Sequence, residues 1–436
     1  MVSPVPDLQT LQNFYRNQLH EGDRAFHDWY RFILSFPPHL VRAYIDQFGL
    51  TADAMILDPF CGTGTTLVEA KKCGIPAMGI EANPMAHFAS QTKNYWQLTP
   101  ERVMAGVDRV LAQAIAEPVT QDLLRFTPEQ EALLLKNSIC DRPLHQCLLL
   151  ANAIAELPDP LVQNLCKLAL ADVAVQTASN LKFGPEVGIR RTKVEDADVL
   201  AAWQLKVTEM AADLGQVQGQ AMAITRCDRG DARRLSLACA PESIDAVITS
   251  PPYPNEKDYT RTTRLESVLL GFLRNQQDLR HLKQSLLRSN TRNVFSADQD
   301  DAWIAENPNV LEVAAAIEER KHALQKTSGF ERLYSRVVTL YFGGMKRHLA
   351  DLRPILRPGA QLAYVVGDQA SFLQVLVRTG ELLADVAESL GYEVVSLDLF
   401  RTRVSSKTGE HLREEVVRLQ WRGGHTHRQN GEESLY

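Results

Sequence analysis

The chain has 436 residues, 45% of them hydrophobic and 23% charged, with a formal net charge of −6. Such a composition suits one large globular domain with insertions, or two or three ordinary ones, and excludes a surface coated in positive charge, so any nucleic-acid contact has to be a local patch. Seven scattered cysteines without C-x-x-C spacing argue against a disulfide frame or a metal site, and no apolar run approaches membrane-spanning length, so a cytoplasmic protein with reduced thiols and no membrane association is expected.

Residues 1–35 carry Phe14, Tyr15, Phe26, Trp29, Tyr30 and Phe32 and read as one or two short helices leading in. Ser35-Phe36-Pro37-Pro38 precedes a helix expected from about Pro38 to Gln47, because proline fits a first helical turn, with a stop near Gly49. Ala54-Met55-Ile56-Leu57 is a compact apolar strand running into Asp58-Pro59-Phe60-Cys61-Gly62-Thr63-Gly64, after which Leu67 to Lys72 has a helical pattern. Alternate glycines let a backbone approach a ligand, and the helix behind them presents free N–H groups. A second strand, Ala77 to Ile80, ends at Glu81, placed to accept from a ribose diol, and Asn83-Pro84 opens the next helix. The G-x-G loop alone is compatible with a dinucleotide, an S-adenosyl cofactor or a bare turn. Leu67 stands where a dinucleotide fingerprint has its third glycine, and no Lys-Ser/Thr follows as in a phosphate loop.

Residues 99–221 are long, Leu/Ala-rich and helix-compatible, with a loop over Asn180 to Gly188 followed by Arg190-Arg191-Thr192-Lys193. A strand is expected at Met222 to Thr225, with Asp231 on the loop after it as a candidate acceptor for an adenine amino group. The short buried strand Ala246 to Ile248 then runs into Ser250-Pro251-Pro252-Tyr253. Two prolines cannot donate to a sheet ladder, so the strand stops there. The tip offers a hydroxyl oxygen, prolyl carbonyls and one ring face, which suit a flat heterocycle bearing an amino group. From 251 to 295 eight Lys/Arg face four Asp/Glu, so Arg261, Arg264, Arg288 and Arg292 are candidate phosphate contacts, with helix ion pairing as the alternative. Leu356 to Gly359 reads as a turn before the strand Gln361 to Val366. A helix over Glu381 to Leu390 is capped by Gly391, strands follow at Glu393 to Leu397 and Glu415 to Leu419, and a disordered tail is expected over 421–436. Seven strands separated mostly by helices predict an α/β fold with a largely parallel sheet, the last two strands pairing antiparallel at one edge, and two helical insertions.

Taken together, Phe60-x-Gly62-x-Gly64 after Asp58 and Ser250-Pro251-Pro252-Tyr253 resemble the S-adenosylmethionine-dependent DNA amino-methyltransferases, whose motifs are F-x-G-x-G and [D/N/S]-P-P-[Y/F]. Residues 36–98, 222–260 and 346–420 match that family's core, about half the chain; 99–221 and 261–345 are the insertions, the second a candidate target-recognition region. The resemblance implies a seven-stranded Rossmann-like methyltransferase sheet. It implies S-adenosyl-L-methionine held by Asp58, Phe60, Cys61, Gly62, Gly64, Glu81, Asn83 and Asp231, and catalysis by Ser250 to Tyr253. It further implies double-stranded DNA as substrate, with a cognate restriction endonuclease as a possible partner. The cofactor motif precedes the catalytic one, the reverse of many Ser-Pro-Pro-Tyr members. The family uses Ser-Pro-Pro-Tyr mainly for the 4-amino group of cytosine; the adenine 6-amino group and guanine amino groups of structured RNA are the alternatives. No Pro-Cys occurs, so the thiolate route to carbon-5 of cytosine lacks its usual motif.

Overall fold

The structure, a computed structural model, describes residues 19–30, 35–116, 122–184, 186–220, 222–254, 257–326, 329–404, 409 and 411–423. Phe14, Tyr15, Phe32 and the tail from 424 onward lie outside the described residues.

Seven strands form one sheet: β1 (Ile56–Asp58), β2 (Ala77–Glu81), β3 (Thr225–Arg229), β4 (Ile244–Thr249), β5 (Leu356–Gly367), β6 (Glu393–Val404) and β7 (His411–Gln420). Their order across the sheet is β3-β2-β1-β4-β5-β7-β6. The first five are mutually parallel; β7 runs antiparallel between β5 and β6. This is a Rossmann-like, mostly parallel sheet. Chain order reverses between β1 and β4, and in such open sheets a ligand crevice lies at the carboxyl ends of the strands flanking that point. The Pro38–Gln47 and Thr65–Lys72 helices cover one face, where Leu40, Val41, Leu67 and Ala70 pack on Ile56, Ala246 and Ile248. The Tyr334–Leu352 helix covers the other, through Tyr341, Phe342 and Met345 against Leu57, Val247 and Leu362.

Several elements differ from the sequence expectation. β3 begins at Thr225, where its ladder with Ala77 starts, and the apolar Met222 and Ile224 ahead of it are exposed. β5 starts at Leu356, and a register shift against β4 takes up the stretch around Gly359 that read as a turn. The Tyr334–Leu352 helix straddles the boundary drawn at 345, because its buried face belongs to the sheet core. Instead of two separate projections, helices of the first insertion (Asp141–Ala155, Pro160–Val173, Val199–Gln216) share one core with Leu265, Leu279 and Leu282 of the second. The loop at 180–188 carries a small hairpin, Leu181–Lys182 with Gly188–Ile189. The lead-in holds two short 3-10 turns, Glu21–Asp23 and His27–Trp29, pinned by Trp29 Nε1 donating to Asp213 at 2.8 Å. Among the described residues no helix is long and apolar enough to cross a membrane.

Candidate functional site

The ends of β1 and β4 lie side by side. Thr249 Oγ1 donates to Asp58 Oδ1 at 2.6 Å, and Thr66 Oγ1 donates to the Ile248 carbonyl at 3.1 Å, so the glycine loop and the Ser-Pro-Pro-Tyr tip leave neighbouring strands together. The loop turns through left-handed glycines, Gly62 at φ +52° and Gly64 at φ +87°. A Cβ on Gly64 would sit 2.6 Å from Ser90 Oγ, whereas one on Gly62 would meet open space. The first glycine therefore borders open space, and the second lets the loop lie on the Pro84–Lys93 helix.

Two carboxylates border this loop. Glu81 accepts from the Gly62 N–H at 2.8 Å and the Asn83 N–H at 2.7 Å, and burial pushes its carboxyl up to about 7. Burial likewise pushes Asp58 up to about 6; its Oδ2 is buried without a hydrogen-bond partner among the described residues. A buried, unmatched acceptor is costly, and an incoming donor would relieve it. An orphaned acceptor, an open glycine and an acid at the end of β2 fit a ligand with an amino group and a ribose diol, as S-adenosylmethionine has.

At the β4 tip, Ser250 Oγ donates to the Val365 carbonyl at 3.1 Å and also meets the Tyr253 side chain, which leaves it a lone pair to accept. The Tyr253 ring lies on Gly367 at the end of β5, where a Cβ would approach Cε2 to 2.9 Å. Its backbone N–H donates to Tyr259 Oη at 3.2 Å. Phe60 packs edge-on against His348 with ring centroids 5.0 Å apart. Burial lowers His348 to about 4, so the imidazole is neutral. Nδ1 lies 2.8 Å from the Ala232 carbonyl and must carry the proton, and Nε2 accepts from Tyr364 Oη at 2.7 Å.

Other expected site residues are engaged elsewhere. Cys61 turns its thiol inward, 3.3 Å from Cys227 Sγ and under Gly79, so only its backbone shapes the loop. Asn83 caps the Pro84–Lys93 helix by accepting from Met85 and Ala86, while its Nδ2 donates to Thr263. Both oxygens of Asp231 are taken by Arg233, which also pairs with Asp300. Arg288 is buried in a two-pronged pair with Asp298, at 2.7 and 2.9 Å, and is structural, not a phosphate contact. Arg264 is turned inward onto Thr260 and the Leu133 carbonyl. Arg261 and Arg292 remain near the surface, both donating to Glu186. Thr249, Gly367 and His348 went unnoticed in the sequence. Thr249 stands next to the recognised motif, and Gly367 follows an apolar strand, but nothing local marks His348.

The sheet and its paired strand tips are compatible with a methyl-transfer site, and comparisons with known proteins point the same way. Residues 7–92, which include the glycine loop and Glu81, match a family described as DNA methylase. The type II methyltransferase M.BsoBI of Geobacillus stearothermophilus is 24% identical over 457 residues, covering 92% of this chain and 85% of that protein. The type II methyltransferase M.AvaI of Nostoc sp. is 24% identical over 424 residues, covering 88% and 83%. Among solved structures, TrmN from Thermus thermophilus gives a TM-score of only 0.26 at 12% identity, over 91% of this chain and 52% of that chain, a likeness too slight to carry weight. The family match and the relatives support an amino-methyltransferase.

Proposed function

We propose that the protein is a site-specific DNA methyltransferase that moves a methyl group from S-adenosylmethionine to the 4-amino group of a flipped-out cytosine. The observation that carries this reading is the Thr249–Asp58 hydrogen bond, which sets the amine-binding tip against the donor-binding loop. Bound S-adenosylmethionine would supply an electrophilic methyl on a sulfonium. Asp58 would accept from its amino group, Glu81 from its ribose hydroxyls, and Gly62 would give it room.

An aromatic amino nitrogen is a poor nucleophile because its lone pair is delocalised into the ring. Ser250 Oγ and the Pro251 carbonyl would accept its two N–H groups and favour a pyramidal nitrogen with a localised lone pair. That stabilisation grows as positive charge develops on nitrogen in the transition state. Ser250 is prepared for this by directing its own proton at Val365. Tyr253, backed by Gly367, would stack on the base and hold its alignment. Pro251 and Pro252 fix the direction of the carbonyl. A base inside a duplex cannot reach such a recessed tip, so flipping is required.

The test is transfer from labelled S-adenosylmethionine to duplex DNA, followed by mass spectrometry of the released nucleosides. N4-methylcytosine is expected. N6-methyladenine would overturn the choice of base, and preferential labelling of structured RNA would overturn the choice of polymer.

A further inference from the structure

Beside the catalytic tip, a cavity of about 220 Å³ opens where the two insertions meet. Leucines form part of its lining, and Arg261, Arg264, Lys283 and Arg292 surround it with Asp258 as the lining carboxylate. Lys283 is neutralised by Asp258 at 3.1 Å. Arg264 is not: it donates only to neutral oxygens of Thr260 and Leu133, and among the described residues no salt bridge reaches it. Arg261 and Arg292, thirty-one residues apart in sequence, converge on one atom, Glu186 Oε2, at 3.1 and 3.2 Å. Three guanidinium groups thus gather at a cavity in an otherwise acidic chain, and the carboxylate across two of them comes from outside its lining.

We propose that this cavity is a phosphodiester site for the DNA substrate and that Glu186 closes it in the free protein, holding the place a backbone phosphate takes on binding. This rests on the DNA-methyltransferase reading above. Glu186 is a poor permanent partner. Its side chain is 55% exposed, it sits on the hairpin joining Leu181–Lys182 to Gly188–Ile189, and it offers both arginines the same oxygen. A phosphodiester has two non-bridging oxygens, one for each guanidinium, and such charge-assisted pairs are stronger than a shared one. Exposed ion pairs contribute little, so the exchange is easy. The site also lies where a phosphate should. Arg261 belongs to the Tyr259–Thr262 turn of helix, whose Tyr259 hydroxyl accepts the Tyr253 N–H at 3.2 Å, so a phosphate in the clamp would flank the nucleotide held at Tyr253. Phe330, half-exposed, lies with its ring centroid 5.1 Å from the Arg292 guanidinium carbon.

The experiment measures binding of a short fluorescent duplex as a function of salt, by anisotropy, for the wild type, Glu186→Gln, the double variant Arg261→Gln/Arg292→Gln, and the triple variant. Thermal melting confirms that each is folded. Glu186→Gln should bind about three- to fivefold tighter than wild type, the gain expected from removing one exposed competing carboxylate. The double variant should bind more weakly, with a slope of log K against log salt shallower by about 1. In the triple variant the gain from Glu186→Gln should vanish, because the group it frees is gone. Unchanged or weaker binding by Glu186→Gln overturns the proposal, as does a gain that persists without the arginines. Methyl transfer to duplex by the wild type is assayed alongside. If that transfer is intact while Glu186→Gln has no effect, only the latch fails; if the wild type neither binds nor methylates duplex, the DNA reading itself fails.

Discussion

The two sides of the site treat charge in opposite ways. Around the glycine loop, Asp58 is a buried acid and Glu81 a half-buried one, with no cation paired to them among the described residues, held by hydroxyl and backbone N–H donors and pushed toward protonation. Around the basic segment, Arg261, Arg288 and Arg292 each meet a carboxylate. One side leaves acceptors without cations, and the other pairs three of its cations internally, with Arg264 held by neutral oxygens. The difference shows why arginine counts mislead: a guanidinium becomes a nucleic-acid contact only when its folded-state acid is weaker competition than phosphate.

The sharpest way to break that contrast is to cut the strongest internal pair. Arg288→Ala strands Asp298 in a largely buried setting and should cost about 3–5 kcal/mol of stability, read by urea unfolding. The salt dependence of duplex binding by the folded protein should stay the same. A stable variant with a shallower salt slope would put Arg288 among the DNA contacts after all. Next in size is Tyr253→Ala, which should lower turnover on the order of a hundredfold while cofactor affinity, measured by calorimetry, changes little. Lost cofactor binding with normal single-turnover chemistry would move Tyr253 to the other side of the site.

Gly79→Ala probes the floor of the cofactor loop. A Cβ there would lie 2.8 Å from Cys61 Sγ, so the loop has to lift, at about 1–3 kcal/mol of stability with weakened cofactor binding. Adding Cys61→Gly should restore part of both, since it removes the sulfur at 2.8 Å and the Cβ at 2.9 Å and leaves only Leu67 Cδ1 at 3.0 Å. Failure of that rescue would mean that Cys61 does more than fill space.

The same contrast marks what the sequence reveals. Asp58, Gly62, Gly64 and Glu81 were legible because a strand end, a left-handed turn and an acid at the next strand end are local requirements of a short stretch of chain. So was the succession of seven strands along the chain, since apolar runs alternate with helical patterns, though not their order across the sheet. The surroundings of Asn83, Asp231 and Cys61 were not legible, because their side chains answer to neighbours: a helix N-terminus, Arg233, and a thiol on β3. Glu186 and His348 were invisible for the same reason, for each acts through residues 75 or more positions away, or across the sheet face. The shared core of the two insertions was hidden too, since a leucine stripe shows that a helix buries a face but not which helix receives it.

The smallest effect tests the acid side alone. A carboxyl raised to about 7 from its ordinary 4.5 binds its proton more tightly in the fold than in the unfolded chain. Its contribution to stability is therefore complete below pH 4.5 and is lost as pH climbs through about 7 in the ligand-free protein. Binding runs the other way. Glu81 accepts best from ribose hydroxyls when ionised, so affinity for S-adenosylhomocysteine should fall as pH drops below about 7, approaching tenfold per unit, and more steeply below about 6 where Asp58 also protonates. Calorimetry across this range reads the slope directly. Glu81→Gln should flatten it between pH 7 and 6, leaving only the Asp58 limb. A wild-type profile that is flat through pH 7, or one that Glu81→Gln leaves unchanged, would show that this acid does not face the ligand, and the opposed handling of charge on the two sides would lose its cofactor half.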